Sequence, residues 1–144
     1  MTSRSSIVLS ALLLAAALVA PGASADVVSD SGATERALAG RYFGTLPSDA
    51  CASLDVLLTL HAGGHYVLQS YCQDDLASST TRGTWTVTWN ETCIDLAPVD
   101  DAQPRREFAL HDDTLLVLTT GSCVEPAEDP RGRMLRRADT AGER

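Results

Sequence analysis

Apolar residues recur at every second position in several short runs of this chain, and turn-forming residues separate the runs. Leu54, Val56, Leu58 and Leu60 form one such run. Successive side chains of a strand point to opposite faces, so this spacing sets all four on one face. From Gly83 to Trp89 the alternation is cleaner still: Trp85, Val87 and Trp89 share one face, and Thr84, Thr86 and Thr88 share the other. Aromatic and β-branched residues in that order describe a half-buried strand. Tyr42 and Phe43 open an earlier strand, which Leu46-Pro47-Ser48-Asp49 ends with turn chemistry. Tyr66 to Tyr71 returns from the Leu54 run, and Cys93 to Ala97 returns from the Trp85 run through Asn90-Glu91. Arg106 to His111 and Thr114 to Thr120 form a hairpin about Asp112-Asp113, and Arg133 to Arg137 supplies the last strand. Gln73 to Arg82, Asp100 to Pro104 and Gly121 to Gly132 read as loops, the first of them on polar composition alone. Roughly eight short strands with little helix predict an all-β domain, a small antiparallel up-and-down barrel or sandwich. Closing such a sheet removes edges that would otherwise pair with other chains.

The first residues follow a different pattern. Arg4 gives a basic start, Ile7 to Ala20 is apolar except for Ser10, and Ala23-Ser24-Ala25 offers small residues where a signal peptidase reads. Residues 1–25 are thus expected to be a secretory signal peptide cleaved after Ala25. The apolar run is short for a membrane span. A lipoprotein needs a cysteine immediately after its cleavage site, and the first cysteine is Cys51. The expectation is a periplasmic or secreted protein without a membrane anchor. Residues 26–40 are polar and small, a flexible entry or a single helical turn, and 139–144 are a tail.

Removing 25 residues from 144 leaves 119, enough for one core. The signal carries one of the 11 basic residues and none of the 19 acidic ones, so 10 against 19 leaves a net charge of −9. That balance argues against nucleic acid and anionic membranes as partners. All the basic residues are arginine, and Arg131, Arg133, Arg136 and Arg137 gather near the C-terminus, as a solvated strand and tail or as a docking patch.

Cys51, Cys72, Cys93 and Cys123 all lie in the exported part. An even number outside the cytoplasm argues for disulfides, with three possible connectivities. Cys51–Cys72 is favoured because both flank the Leu54 hairpin. The remaining pair, Cys93–Cys123, conflicts with a count of strands, which sets Cys93 at the opposite end of the sheet from the other three. Each bridge would contribute about 2–4 kcal/mol.

No nucleophile elbow, phosphate loop, zinc-finger spacing or nucleotide fingerprint occurs in the sequence. His61 and His65 bracket the hairpin His61-Ala62-Gly63-Gly64-His65. A two-residue Gly63-Gly64 turn would send the two imidazoles to opposite faces. A three-residue loop would oppose them on one face, with Cβ atoms about 5 Å apart, a spacing suited to copper or zinc. His111 beside Asp112 and Asp113 reads as a polar hairpin tip.

The stretch from Arg41 to Cys72 carries Tyr42, Gly44, Leu46, Pro47, Cys51, Leu58, Thr59, Leu60, Gly64, Tyr66 and Tyr71 in an order that resembles the N-terminal domain of the NlpE family, the envelope lipoprotein associated with copper resistance. The resemblance continues through Gly83-Thr84-Trp85, Leu115 to Thr119 and Met134 to Arg137, so it spans a domain over 41–138. It implies a lipocalin-like β-barrel, non-enzymatic, acting in copper homeostasis or the envelope stress response through copper or an envelope protein partner. It favours the two-residue hairpin turn. In the family a pair of cysteines in the turn after the first strand is the redox- or copper-responsive feature. The matching turn here is Leu46, Pro47, Ser48 and Cys51, with serine in place of the first cysteine and no lipoprotein cysteine upstream. Serine is a poor Cu(I) ligand, so Cys51 with His61 and His65 are the candidate metal ligands left. Two other functions fit the same chain. One is a lipocalin-like carrier of a small apolar ligand lined by Tyr66, Trp85, Trp89 and Phe108. The other is a secreted hydrolase inhibitor presenting the Gln73 to Arg82 loop.

Overall fold

The computed structural model describes residues 30–88, 90–119, 123 and 129–138. The predicted signal peptide, residues 26–29 of the expected entry segment, Trp89, most of the expected 121–132 loop and the tail at 139–144 lie outside the described residues. A helix, α1 (Asp30–Leu38), precedes eight strands: β1 (Gly40–Leu46), β2 (Leu54–Leu60), β3 (His65–Cys72), β4 (Ser78–Thr88), β5 (Cys93–Pro98), β6 (Arg106–Asp112), β7 (Leu115–Leu118) and β8 (Met134–Arg137). Each pairs antiparallel with the next, and β8 pairs back onto β1 to close the barrel.

The alternation read from the sequence sets the interior. Val56, Leu58 and Leu60 of β2 are buried, and Leu58 faces Tyr42 on β1 and Leu68 on β3. Trp85 faces Leu96, and Phe108 faces both Ile94 and Leu118. With Leu116 and Leu135 these side chains fill the barrel from wall to wall. Small barrels pack their interiors in this way, and burial of each large side chain stabilises by about 1.5–3 kcal/mol.

Closure explains one glycine of the opening motif. Gly44 lies on the inward-facing register of β1, opposite Val56 on one side and Leu135 on the other. A Cβ there would collide with the carbonyl oxygen of Met134 on β8. The first and last strands therefore meet at a residue without a side chain. Gly83 plays the equivalent part on β4, where a Cβ would strike the Ala97 carbonyl and come within 2.7 Å of the Tyr66 ring.

One end of the barrel is sealed. Helix α1 runs into β1 with Leu38 buried in the core. The buried Tyr42 hydroxyl donates to the Leu38 carbonyl at 2.8 Å. Arg137, on the inward register opposite Tyr42, donates to the carbonyls of Ala37 at 2.9 Å, Ala39 at 2.7 Å and Asp113 at 3.3 Å. Its guanidinium lies 5.9 Å from the Tyr42 ring centroid. A cation at a helix C-terminus satisfies carbonyls that have no partner within the helix and opposes the negative end of its dipole.

Three expectations change. Asp30–Leu38 is a nine-residue helix rather than a flexible entry or single turn. Its Leu38 gains burial and its last carbonyls gain Tyr42 and Arg137, partners from distant sequence that no local pattern discloses. Strand β4 begins at Ser78, within the stretch read as a loop from Gln73 to Arg82, so only residues 73–77 connect β3 to β4. Serine and threonine here still pair in register, and the hydroxyls of Ser70 and Ser79 lie 2.7 Å apart across the strands. Finally, β6 extends to Asp112, with a shift of register between Leu110 and Asp112, and the chain turns at Asp113 and Thr114.

Candidate functional site

The hairpin between β2 and β3 has a three-residue loop. The His61 amide donates to the His65 carbonyl at 2.9 Å and the Gly64 amide to the His61 carbonyl at 3.0 Å, with Gly64 at φ 80°. The expected two-residue turn is thereby corrected, because glycine at 64 accepts the left-handed conformation that such a loop needs. His61 and His65 oppose each other directly, both exposed, one residue beyond the inward-facing Leu60 and Tyr66 and so on the outer register. Strand β4 holds this tip in place. The Trp85 amide donates to the Gly64 carbonyl at 2.9 Å, and its indole Nε1 donates to the His61 carbonyl at 2.9 Å.

The four cysteines form two bridges, Cys51–Cys72 and Cys93–Cys123, each with Cα atoms 5.9 Å apart. The pairing favoured from the sequence is the one present. The second bridge forms although the strand count sets its two cysteines at opposite ends. Cys93 faces outward, opposite Ala109, and is bonded there to Cys123, whose sulfur lies 3.4 Å from the Phe108 carbonyl oxygen. Cys51 is corrected as a partner of the two histidines. Its sulfur is bonded to Cys72 and offers no thiolate, and it sits with the β1–β2 connection at the end of β2 opposite His61. In the family turn, Leu46 is buried, Pro47 is exposed, and the Ser48 hydroxyl accepts from the Ala50 amide at 3.2 Å. Asp74 accepts from the Ala52 amide at 2.7 Å, tying the next connection to the same turn.

The barrel end carrying Cys51–Cys72 is open. Two adjoining clefts of about 740 Å³ and 340 Å³ meet there. Ser48, Ala50, Leu54 and Arg106 line both. Arg106 faces Leu96 on the inward register and is half-buried. Burial holds its guanidinium below the ordinary arginine range, partly offset by Tyr66. Burial likewise raises the Tyr66 hydroxyl, against the pull of Arg106. The neighbouring Arg105 forms an ion pair with Asp95, and no described acid lies within ion-pair distance of Arg106 or of Arg133. Sequence reasoning passed over Arg106. The available signal was parity: a cation two residues before the core Phe108 belongs to the same face.

The remaining candidates separate. Asp112 caps the β6–β7 turn, accepting from the Thr114 amide at 2.7 Å and its hydroxyl at 2.6 Å. These bonds, the hydroxyl's first, hold its carboxyl below the usual range. The C-terminal arginines do not make one patch. Arg131 pairs with Asp129, Arg133 lines the open mouth, Arg136 is exposed, and Arg137 seals the opposite end. Tyr66, Trp85 and Phe108 are core residues rather than the lining of a ligand cavity.

The family model for the NlpE N-terminal domain matches residues 42–124. The chain belongs to that family. Two solved structures share the fold. One is the Cpx pathway activator NlpE from Escherichia coli, with a TM-score of 0.51 and 19% identity over 63% of this chain and 45% of that one. The other is a Shewanella oneidensis protein described as a lipoprotein, with a TM-score of 0.56 and 19% identity over 73% of this chain and 94% of that one. The chain thus matches less than half of the length of the E. coli protein. No curated protein matches it. The NlpE motif residues Tyr42, Gly44 and Leu46 have structural explanations in this fold. Tyr42 holds α1, Gly44 admits β8, and Leu46 fills the core beneath the open mouth.

Proposed function

We propose that the chain is an exported, non-enzymatic binding and sensing domain of the envelope stress response, with copper as a condition it reports. The observation that carries this reading is membership of the NlpE family together with the fold shared with a Cpx pathway activator. The predicted signal peptide agrees with an extracytoplasmic site of action, and an envelope protein is the expected partner. Two groups support a copper role. His61 and His65 present two opposed imidazoles on a braced hairpin. Reduction of Cys51–Cys72 would release two thiols within 4.8 Å of an Asp74 oxygen, a soft donor set suited to Cu(I).

The test expresses the full chain for export in a bacterial host carrying an envelope-stress reporter, with and without added copper. Wild-type protein raises the reporter, more so with copper. The His61→Gln/His65→Gln pair loses the copper increment and keeps the basal response. A reporter unmoved by abundant exported protein would refute the stress reading. A copper increment unchanged in both the histidine pair and a Cys51→Ser/Cys72→Ser pair would refute the copper part.

A further inference from the structure

The geometry points to the open mouth of the barrel as a binding site for an organic carboxylate with a short apolar body, held by Arg106 and Arg133. The inference is independent of the stress reading and concerns a different part of the molecule from the histidine hairpin.

Charge comes first. The chain is acidic, with 19 acidic against 11 basic residues, yet two arginines with no ion-pair partner among the described residues line one cleft of about 740 Å³. A cation on the inward register of a barrel is costly unless something pairs with it. Elsewhere in this protein that pairing is made: Arg137, inward at the sealed end, has three carbonyls. Arg106, inward at the open end, has no such bonds among the described residues. Its forked guanidinium suits a carboxylate, which can accept two parallel hydrogen bonds from it.

Shape and polarity set the rest of the ligand. Pro47, Ala50, Leu54 and Leu118 supply apolar walls to the cleft around the guanidinium. Below it the interior is filled by fully buried Trp85, Phe108 and Leu96. The apolar body must therefore stay in the mouth, which excludes a long acyl chain threaded down the barrel axis. The Ser70 and Ser79 hydroxyls, on the wall of the adjoining cleft, can receive a further polar group. The acids on the larger cleft, Asp49 and Glu107, disfavour ligands of high negative charge, so a monocarboxylate is preferred over a polyanion.

Isothermal titration of the full chain expressed for export tests this, with octanoate, octanol and inorganic phosphate as probes. Octanoate is expected to bind one-to-one, at least tenfold more tightly than either octanol or phosphate. Arg106→Gln should weaken octanoate at least tenfold, and Arg133→Gln several-fold, with thermal melts confirming that both variants fold. If Arg106→Gln does not fold, the three-probe comparison on wild type decides alone. Octanol binding as tightly as octanoate would show a merely apolar cleft and overturn the proposal. Phosphate binding as tightly would show a bare anion site and overturn it too, as would an absence of octanoate binding.

Discussion

Arg137 allows a sharp test of how the sealed end is held. Replacing it with alanine removes donors to the Ala37, Ala39 and Asp113 carbonyls, two of them at 2.9 Å or less, and a cation near the Tyr42 ring. Hydrogen bonds from a charged group contribute about 1.5–3 kcal/mol each where buried. Here the arginine is partly exposed, and carbonyls at a helix end can turn to water, so the three do not sum. The ring contact adds about 0.5–1 kcal/mol. The expected loss is about 2–3 kcal/mol, which for a domain of this size lowers Tm by about 10–20 °C. Thermal and urea melts followed by circular dichroism measure it. Arg137→Lys should recover less than half, because an ammonium reaches fewer of the three acceptors at once. Arg136→Ala, at an exposed neighbour on the outer register, is the control and should stay within about 0.5 kcal/mol of wild type. If Arg137→Ala melts as the control does, α1 is not held by this side chain and the account of the sealed end fails.

Three further outcomes are expected. Gly44→Ala forces a Cβ against the Met134 carbonyl and should destabilise by about 3 kcal/mol, read by urea denaturation, since the obstructing atom is backbone. Glu91→Gly should stabilise by about 0.5 kcal/mol, also in urea. Asn90 and Glu91 form the β4–β5 turn at φ 53° and 66°, and relief of about 1–2 kcal/mol there exceeds the entropy cost of glycine. Burial raises the Tyr42 and Tyr66 hydroxyls above the model-peptide value of 10.0, so above that pH the unfolded chain releases protons that the folded chain retains. Stability should therefore be unaffected by these groups below pH 10 and fall as pH rises beyond it. Melts across that range, with Tyr66→Phe showing a shallower decline, would check the sign.

How far the sequence discloses this fold depends on how local each cause is. Leu54 to Leu60 and Gly83 to Val87 alternate because one face of each is inside, and alternation is a property of adjacent residues, so those strands are legible. Ser78 to Arg82 shows no such contrast. Near the open mouth both faces of β4 are wet, the selection for apolar residues lapses, and the strand persists through pairing with β3. Helix α1 is hidden for the opposite reason: its anchors, Tyr42, Asp113 and Arg137, lie up to 100 residues away. The histidine loop turned on one residue. Gly63-Gly64 accommodates either register, and the bonds from Trp85, 24 residues beyond His61, accompany the three-residue form. Cys51–Cys72 followed from adjacency to a hairpin, whereas Cys93–Cys123 joins residues that a count of strands sets at opposite ends.

The asymmetry between the two ends also bears on where a ligand and the redox state can influence each other. At the sealed end the described connections 61–64 and 113–114 are short turns, and α1 enters β1 there, tied by Tyr42 and Arg137. The other end carries the longer segments 47–53, 73–77 and 99–105. Long segments lose more entropy on ordering, so a site built from them needs ties. Cys51–Cys72 and the Asp74 bond to the Ala52 amide supply two, the first tying segment 47–53 to the end of β3 and the second tying it to segment 73–77. The disulfide and Arg106 line the same cleft. A carboxylate that prefers the ordered mouth must then, by thermodynamic reciprocity, make Cys51–Cys72 harder to reduce, and reduction must weaken the carboxylate by the same factor. Cys93–Cys123 faces the outer wall, away from that cleft, and carries no such requirement. Equilibrium reduction of the two bridges with and without octanoate should therefore shift the first and leave the second in place. A shift shared equally by both would mean that the ligand stabilises the whole barrel rather than its mouth.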